Sequence, residues 1–353
     1  MKLQLPDRTI EVFTVISRQE DLQEYFTDDI KPAVQLSDEY GFSGMLLFQS
    51  NRGNIEPWVF GQELLANSVS LSPIVAVNPV YMHPFTVAKK ILTLCGFYGR
   101  KVYLNLITGT SKSDMVSLND YLEHDKRYDR LIEYTKIIDA LLRGDGPVTF
   151  DGTYYQVSNL QLSSKIREDI LPDYFVAGSS EGAQKALIEL NATKLGMAKP
   201  EGHLHNGEFQ PPQKKSVHFG IVAREERDEA QAALKSIFPE SKSNQEIQEY
   251  SMKNTDAVWK KEMQQYSNQT DNHTYSLVPF KNFKADCPYH VGSYEDVAEV
   301  IKGYVINGLS SMIIEIPPGE AEHWHISKVF KLAKDKLMSE LYQAENNEFE
   351  FKF

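Results

Sequence analysis

The sequence is poor in cysteine, in positive charge and in long apolar runs. Its 353 residues include only two cysteines, and 49 acidic against 37 basic side chains give a formal net charge of -12. Cys95 and Cys287 lie far apart and match no metal-binding spacing, which fits a reducing compartment. The acidic balance argues against nonspecific binding to nucleic acid or to an anionic membrane surface, because both need a basic face.

The apolar stretches are also too short for a membrane protein. The most apolar one, residues 69–80, is interrupted and far shorter than a bilayer span. The N-terminus lacks the basic start and apolar core of a secretory leader. We therefore expect a cytoplasmic protein with neither a membrane nor a nucleic acid as partner.

What the chain does contain is a regular alternation of short apolar runs with longer periodic segments. This alternation is typical of a parallel sheet with crossover helices. Eight such strands in a chain of this length favour one (β/α)8 barrel with insertions, spanning residues 1–353, over two separate domains. The predicted strands cover residues 10–16, 44–49, 74–78, 101–107, 174–177, 192–197, 217–223 and 311–316.

Three segments do not follow the alternation. Residues 144–157 predict a hairpin that turns at Asp151-Gly152. Residues 239–286 are polar and predict an insertion at the mouth of the barrel, either a lid or a decorating subdomain. Residues 345–353 have the composition of a C-terminal tail.

Two of the apolar runs stop abruptly at small or hydroxylated residues. One ends at Thr108-Gly109 and the other at Gly178-Ser179-Ser180, as expected where a buried parallel strand opens into a ligand pocket. The second also precedes a predicted helix, whose free N–H groups and positive dipole end attract a phosphate. The alternative is that a serine here is only a helix N-cap.

His124 and Tyr128 are four residues apart at the start of another predicted helix. That spacing places both side chains on one helix face, where they are suitable donors to a phosphate or a ring oxygen. A solvated or capping role is the alternative. The Asn105 amide and the Thr108 hydroxyl are suited to a polar ring edge, although Thr-Gly is also common in turns.

Together these motifs resemble the bacterial-luciferase-like flavin monooxygenases, nearest to the alkanesulfonate monooxygenase branch. The likeness covers most of the chain, and the order and spacing of its motifs are more specific than any one of them. The motifs that carry it are Gly41-Phe42-Ser43-Gly44, residues 105–109, His124-Asp125-Lys126-Arg127-Tyr128, Gly178-Ser179-Ser180, residues 221–225 and residues 303–316.

The resemblance implies a barrel that binds reduced FMN and uses O2 to insert one oxygen atom through a flavin C4a-hydroperoxide. A separate NAD(P)H-dependent reductase would supply the reduced flavin. The same resemblance implies that the flavin phosphate is held by Tyr128, Ser179 and Ser180, next to Gly178. The residues that would lie along the flavin are Asn78, Asn105, Thr108 and His124.

The chain departs from the alkanesulfonate branch at the residues that handle the sulfonate. The loop at residues 51–54 has no cysteine, and His218-Phe219-Gly220 stands where that branch has Arg-X-His. The expected tyrosine falls at Pro317, and the expected arginine falls near Phe280 or Lys281. The resemblance therefore implies a flavin site without predicting desulfonation.

Other residues are candidates for the chemistry and the substrate pocket. His218 would project from the seventh strand into the top of the barrel, and Arg52 would bind an anionic group. His290, after Cys287-Pro288-Tyr289 and beside the start of a helix, would cover the flavin. For each of the three, a structural or solvated role is the alternative. The loop after the third strand predicts a substrate pocket shaped by Tyr81, Met82 and His83, with plain packing as the alternative.

Several functions remain open at this point. The pattern resembles members that act in secondary metabolism, some on carrier-protein-bound intermediates. A deazaflavin F420-dependent hydride transfer on the same barrel is an alternative, and so is a noncatalytic flavin-binding relative, because fold does not fix function. A homo-oligomer is expected from the resemblance.

Overall fold

The computed structural model describes residues 1–16, 30–49, 55–109, 111–200, 214–255, 258–266 and 274–350. The strands are β1 (Leu3–Gln4), β2 (Thr9–Val15), β3 (Gly44–Leu47), β4 (Ser72–Val77), β5 (Tyr103–Leu106), β6 (Val148–Asp151), β7 (Gln156–Leu160), β8 (Tyr174–Ala177), β9 (Thr193–Met197), β10 (Lys215–Arg224), β11 (Tyr275–Ser276), β12 (Tyr289–Ser293) and β13 (Ser311–Glu315). The helices are α1 (Lys31–Glu39), α2 (Pro57–Ala66), α3 (Pro84–Tyr98), α4 (Lys112–Ser117), α5 (His124–Arg143), α6 (Glu181–Glu189), α7 (Arg227–Ile237), α8 (Lys242–Lys253), α9 (Val258–Tyr266), α10 (Val278–Lys281), α11 (Tyr294–Ile306) and α12 (Gly319–Glu350).

Eight parallel strands close into a barrel. The order is β2-β3-β4-β5-β8-β9-β10, and β13 pairs with both β10 and β2 to complete the ring. These are the eight strands that the apolar runs predict, with ends shifted by up to two residues. The predicted (β/α)8 barrel with its decorations is therefore confirmed.

The barrel interior is filled by side chains from alternate positions of the strands. Successive residues of a strand point to opposite faces, so every second residue points inward. Phe13 lies at the centre of this cluster, with its ring centroid 5.2 Å from that of Tyr103 and 6.1 Å from that of Phe175. The cluster comprises Phe13, Val15, Leu46, Ile74, Tyr103, Phe175, Leu195 and Ile313. Such packing leaves the open end of the barrel as the place for a ligand.

β10 is longer than the barrel needs. Its second half, Gly220 to Arg224, pairs in parallel with β12, and β12 pairs with the short antiparallel strand β11. The sequence pattern did not predict β12. It is a five-residue strand directly before the capped start of α11, where Ser293 accepts a hydrogen bond from the Asp296 N–H at 3.1 Å.

The three irregular segments have the following structures. The predicted hairpin forms between β6 and β7, and the Glu133 carboxylate accepts hydrogen bonds from the N–H groups of Thr153, Tyr154 and Tyr155 in its turn. The inserted segment 239–286 contains α8, α9, α10 and β11, around a small apolar cluster of Met263, Leu277 and Phe280. α12 continues through residues 345–350, most of the segment assigned to a tail. Within the described residues, no helix combines the length and the apolar character needed to cross a bilayer.

Candidate functional site

The corner where β8 meets α6 brings three of the predicted flavin residues together. The Tyr128 hydroxyl donates to the Ala177 carbonyl at 2.9 Å, directly before Gly178. Thr108 hydrogen-bonds to the same phenol, and burial is the main cause that raises the Tyr128 pKa. β5 and β8 are adjacent strands, so the loops that follow them meet at this corner.

Gly178 has a backbone that a side chain would disturb. Its φ is +124°, a region that L-residues rarely occupy. A Cβ there would lie 2.7 Å from the Tyr128 hydroxyl oxygen and 3.1 Å from the Ala183 Cβ. The glycine therefore permits both the strand-to-helix turn and the close approach of the phenol.

The start of α6 provides donors for an anion. Ser180 is its N-cap and accepts from the Ala183 N–H at 3.2 Å, so the capping role proposed as the alternative is present. Ser179 is exposed and lies one residue before the N-cap. The free N–H groups and dipole of a helix start favour a phosphate, while the Ser180 hydroxyl also orders the local turn.

A carboxylate that the sequence analysis did not predict links α5 to α6. Asp125 hydrogen-bonds to His124 Nδ1 at 2.9 Å, and it also accepts from Ser180 and from the Gly182 N–H. The bonds from His124 and Ser180 are the two largest causes that lower the Asp125 pKa. Asp125 therefore holds His124 beside the corner, and the His124 ring lies 5.4 Å from that of Tyr128.

A buried arginine places positive charge behind the same loop. Arg127 donates from one guanidinium nitrogen to the carbonyls of Thr108 and Gly109, each at 3.1 Å. Its Nε is buried without a hydrogen-bond partner in the described part of the chain. A positive charge at this position favours a dianionic phosphate nearby.

Two asparagines lie near the carboxyl ends of the neighbouring strands β4 and β5. Asn105 lies on β5 between Ala76 and Phe175, and its Oδ1 is buried with no hydrogen-bond partner among the described residues. A buried polar atom without a partner is costly, and a ligand that donates to it removes that cost. Asn78 is satisfied locally, because its Oδ1 accepts from the Val80 N–H at 3.1 Å.

The loop after β4 lies beside the hairpin. Tyr81 and Met82 are half-buried, and burial is the main cause that raises the Tyr81 pKa. His83 is exposed and caps α3, because its Nδ1 accepts from the Phe85 N–H at 3.2 Å. Its ring lies 6.1 Å from that of Tyr155. These contacts give His83 a capping role.

His218 lies inside the barrel on β10, as its place in the sequence predicts. It is buried, and its Nε2 lies 3.2 Å from Oε1 of Glu315, the last residue of β13. The same oxygen accepts from the Cys287 thiol at 3.5 Å. Sequence reasoning missed Glu315, although a carboxylate at the end of an apolar strand is the signal that marks it.

The other two candidates do not join this arrangement. His290 lies on β12 and faces outward, with Nε2 2.8 Å from the Tyr304 hydroxyl and its ring 5.1 Å from that of Phe219. Phe219 and Tyr304 belong to the core between the strands and the outer helices, so His290 does not cover the barrel mouth as expected. Arg52 lies outside the described residues.

The residues at the corner fit a flavin phosphate. The glycine turn excludes a Cβ, the helix start and Ser179 offer donors, and Asn105 holds a buried acceptor at the same face. A ring that spans from the corner to Asn105 would cover the open end of the barrel.

Comparison with known proteins gives the family. The family model described as luciferase-like monooxygenase matches residues 9–311, so the chain belongs to that family. The nearest branch within it stays a prediction.

Individual relatives agree with this assignment. The chain is 26% identical over 314 residues to 4-(gamma-L-glutamylamino)butanoyl-[BtrI acyl-carrier protein] monooxygenase BtrO of Niallia circulans, a match that covers 87% of this chain and 91% of that protein. Riboflavin lyase (RcaE), solved with modified FMN and riboflavin, superposes with a TM-score of 0.70 at 13% identity, over 93% of this chain and 92% of that one. An F420-dependent secondary alcohol dehydrogenase superposes with a TM-score of 0.63 at 15% identity, over 92% and 99%. The two structures show a shared fold.

Proposed function

We propose that this chain is an FMN-dependent monooxygenase that adds one O2-derived oxygen atom to an acyl group carried by a carrier protein. The observation that carries the proposal is the corner formed by Tyr128, Gly178 and the start of α6, together with the unpartnered Asn105 oxygen. The family assignment supports the oxygenase class, and the name of the Niallia circulans relative supports the carrier-bound substrate.

The residues have distinct roles in this proposal. Ser179, Ser180 and the start of α6 hold the phosphate, with Tyr128 and His124 at its side. Asn105 and Thr108 orient the ring, and Asn78 shapes the end of β4. Reduced FMN, delivered by a separate NAD(P)H-dependent reductase, supplies the electrons that activate O2.

The chain itself must control protons and water. His218 lies buried in the barrel near its open end and is the candidate to give or take a proton at the reacting atom. The inserted segment 239–286 is proposed as the cover that keeps water out during the reaction. Tyr81 and Met82 are proposed to contact the acyl group, with His83 supporting their loop.

A second candidate function is hydride transfer with F420. The observation that favours it is the structural likeness to the F420-dependent alcohol dehydrogenase, which uses the same barrel. The two functions differ in their need for oxygen: the oxygenase consumes O2 with product formation, whereas the hydride-transfer enzyme works anaerobically.

A double variant tests the phosphate placement. We expect Tyr128→Phe with Ser179→Ala to weaken FMN binding by about 1–3 kcal/mol. The Ser179 hydroxyl is lost as a donor to the phosphate, and the turn at Gly178 loses the hydrogen bond that Tyr128 donates to the Ala177 carbonyl. Affinity is measured by flavin fluorescence titration. The matched control is Tyr342→Phe, which removes a hydroxyl from an exposed tyrosine of α12 and should leave the affinity unchanged. Equal affinity in the double variant and the wild type would refute the placement.

A further inference from the structure

Three buried polar side chains from distant parts of the chain meet inside the barrel. Glu315 Oε1 lies 3.2 Å from His218 Nε2 and 3.5 Å from Cys287 Sγ. All three residues are buried. Tyr289 packs over the cluster: its ring would collide with a Cβ at Gly220, and its pKa is raised by burial first and by Glu315 second.

The strand register places this cluster at the reacting end of the barrel. Glu315 is the last residue of β13, and His218 pairs with Met197, the last residue of β9. The carboxyl ends of barrel strands form the face where barrel enzymes carry their active sites. His218 and Glu315 therefore belong to the ligand end of the barrel.

The hydrogen bonds to Glu315 have a fixed direction. A carboxylate only accepts, so both groups that contact its Oε1 must donate. Burial raises the pKa of the Cys287 thiol well above its usual value, so Cys287 keeps its proton and donates it. The His218 imidazole must then carry a hydrogen on Nε2, and in the neutral form of such a ring Nδ1 is the acceptor.

We propose that Glu315 is a positioning residue that holds His218 in the Nε2–H tautomer, with Nδ1 ready to accept a proton during turnover. Cys287 is a second donor to the same oxygen and limits how far the carboxylate can rotate. The assignment rests on the proposed function, in which His218 handles a proton. Its structural part, the tautomer, holds in the protein without any ligand.

The tautomer is measured directly by long-range 1H–15N NMR of the flavin-free protein labelled on histidine. We expect His218 to show a protonated Nε2 and an unprotonated Nδ1 near neutral pH. Glu315→Gln should keep this tautomer, because the amide oxygen still accepts. Glu315→Leu should convert His218 to a mixture of tautomers, whereas Cys287→Ala, the matched control, should not. A wild-type ring protonated on Nδ1, or a ring unchanged in Glu315→Leu, would overturn the proposal.

Turnover gives an independent readout. Glu315→Leu should lower kcat for oxygenated product by roughly hundredfold, the low end of what acid–base groups contribute. FMN affinity and KM should stay near the wild-type values, and Glu315→Gln should recover most of the rate. A purely structural role predicts that stability and flavin affinity fall together with kcat in Glu315→Leu, and that result would contradict positioning.

The two failures can be told apart. If the wild-type protein shows no oxygenation, the proposed function fails, while the NMR measurement still decides the tautomer. Metal binding would compete for the same atoms, because one ligand atom from each of His218, Cys287 and Glu315 lies within 4.8 Å of the others. A stoichiometric zinc ion found by elemental analysis of the purified protein would overturn the proposal, since His218 would then be a ligand.

Discussion

Gly178→Ala is the substitution that best isolates the corner where β8 meets α6. The new methyl group would meet two obstacles at once: a backbone φ of +124° and a Tyr128 hydroxyl oxygen 2.7 Å away. The φ alone costs about 1–3 kcal/mol for a residue with a Cβ. Moving the phenol breaks its hydrogen bond to the Ala177 carbonyl, which adds about 0.5–1.5 kcal/mol.

The chain offers a matched control at Gly146. Its φ is +146°, and a Cβ added there would meet nothing within 4 Å. Gly146→Ala therefore carries a comparable backbone cost without the contact to Tyr128. We expect the free energy of unfolding, measured by urea denaturation, to fall by about 1 kcal/mol more in Gly178→Ala than in Gly146→Ala.

Flavin binding separates the two variants further. FMN affinity should fall in Gly178→Ala, because the phenol and the start of α6 both shift, and should stay unchanged in Gly146→Ala. Equal losses of stability in the two variants, with wild-type FMN affinity in both, would refute the account of this corner.

Three further predictions concern buried groups elsewhere. Asn105→Leu removes a buried oxygen that has no partner among the described residues, so the flavin-free protein should be as stable as the wild type or more stable by about 1 kcal/mol. FMN binding should nevertheless weaken. Thermal melts measure the stability and titration measures the affinity; lower stability with intact FMN binding would contradict this prediction. Burial lowers the His290 pKa to about 3, so the unfolded chain takes up a proton below pH 6.5 that the folded protein does not. Folding stability should therefore fall as pH drops from about 6.5 to 3, by up to about 1.4 kcal/mol per pH unit from this residue. His290→Phe should reduce this dependence of the free energy of unfolding on pH, measured by urea denaturation. The same pH dependence in the variant and the wild type would refute the burial of His290. Burial raises the pKa of Cys95 to about 11 and that of Cys287 well above its usual value, so neither thiol should react with Ellman's reagent until the chain unfolds; fast labelling of the native protein would contradict their burial.

The barrel was predictable from the sequence because it depends on local patterns. Each strand is a short apolar run that ends at a turn residue, so the eight runs could be identified one at a time. The contact of Tyr128 with the turn at Gly178 also follows from the barrel order. Tyr128 lies on α5, which connects the consecutive barrel strands β5 and β8, and the carboxyl ends of these strands share one face.

The cluster around Glu315 was not predictable in the same way. His218 and Glu315 are 97 residues apart, and they touch because β13, the eighth barrel strand, pairs with β10, the seventh. The barrel order makes these strands neighbours, but the register that sets His218 opposite Ile313 and brings Glu315 within reach is not visible in either strand's sequence. The outward orientation of the His290 side chain was not predicted for a related reason. β12 was not recognised as a strand, so the alternation of side chains along a strand, which turns His290 outward, could not be applied.

Asp125 shows a further limit of sequence reasoning. Its neighbours His124 and Tyr128 were predicted as ligand contacts from their spacing on one helix. The structure adds that Asp125 reaches the start of α6 and accepts from Ser180 and Gly182. That contact depends on how α5 packs against α6, which neither segment shows by itself.

The most direct test of the central claim is an 18O2 experiment with the purified protein. The protein is loaded anaerobically with reduced FMN, mixed with 18O2 and a carrier-protein-bound acyl substrate, and the acyl group is analysed by mass spectrometry. The proposed oxygenase predicts one 18O atom per product molecule, and a loss of label and product together in Gly178→Ala. Anaerobic turnover with F420, or product that contains no 18O, would contradict the account.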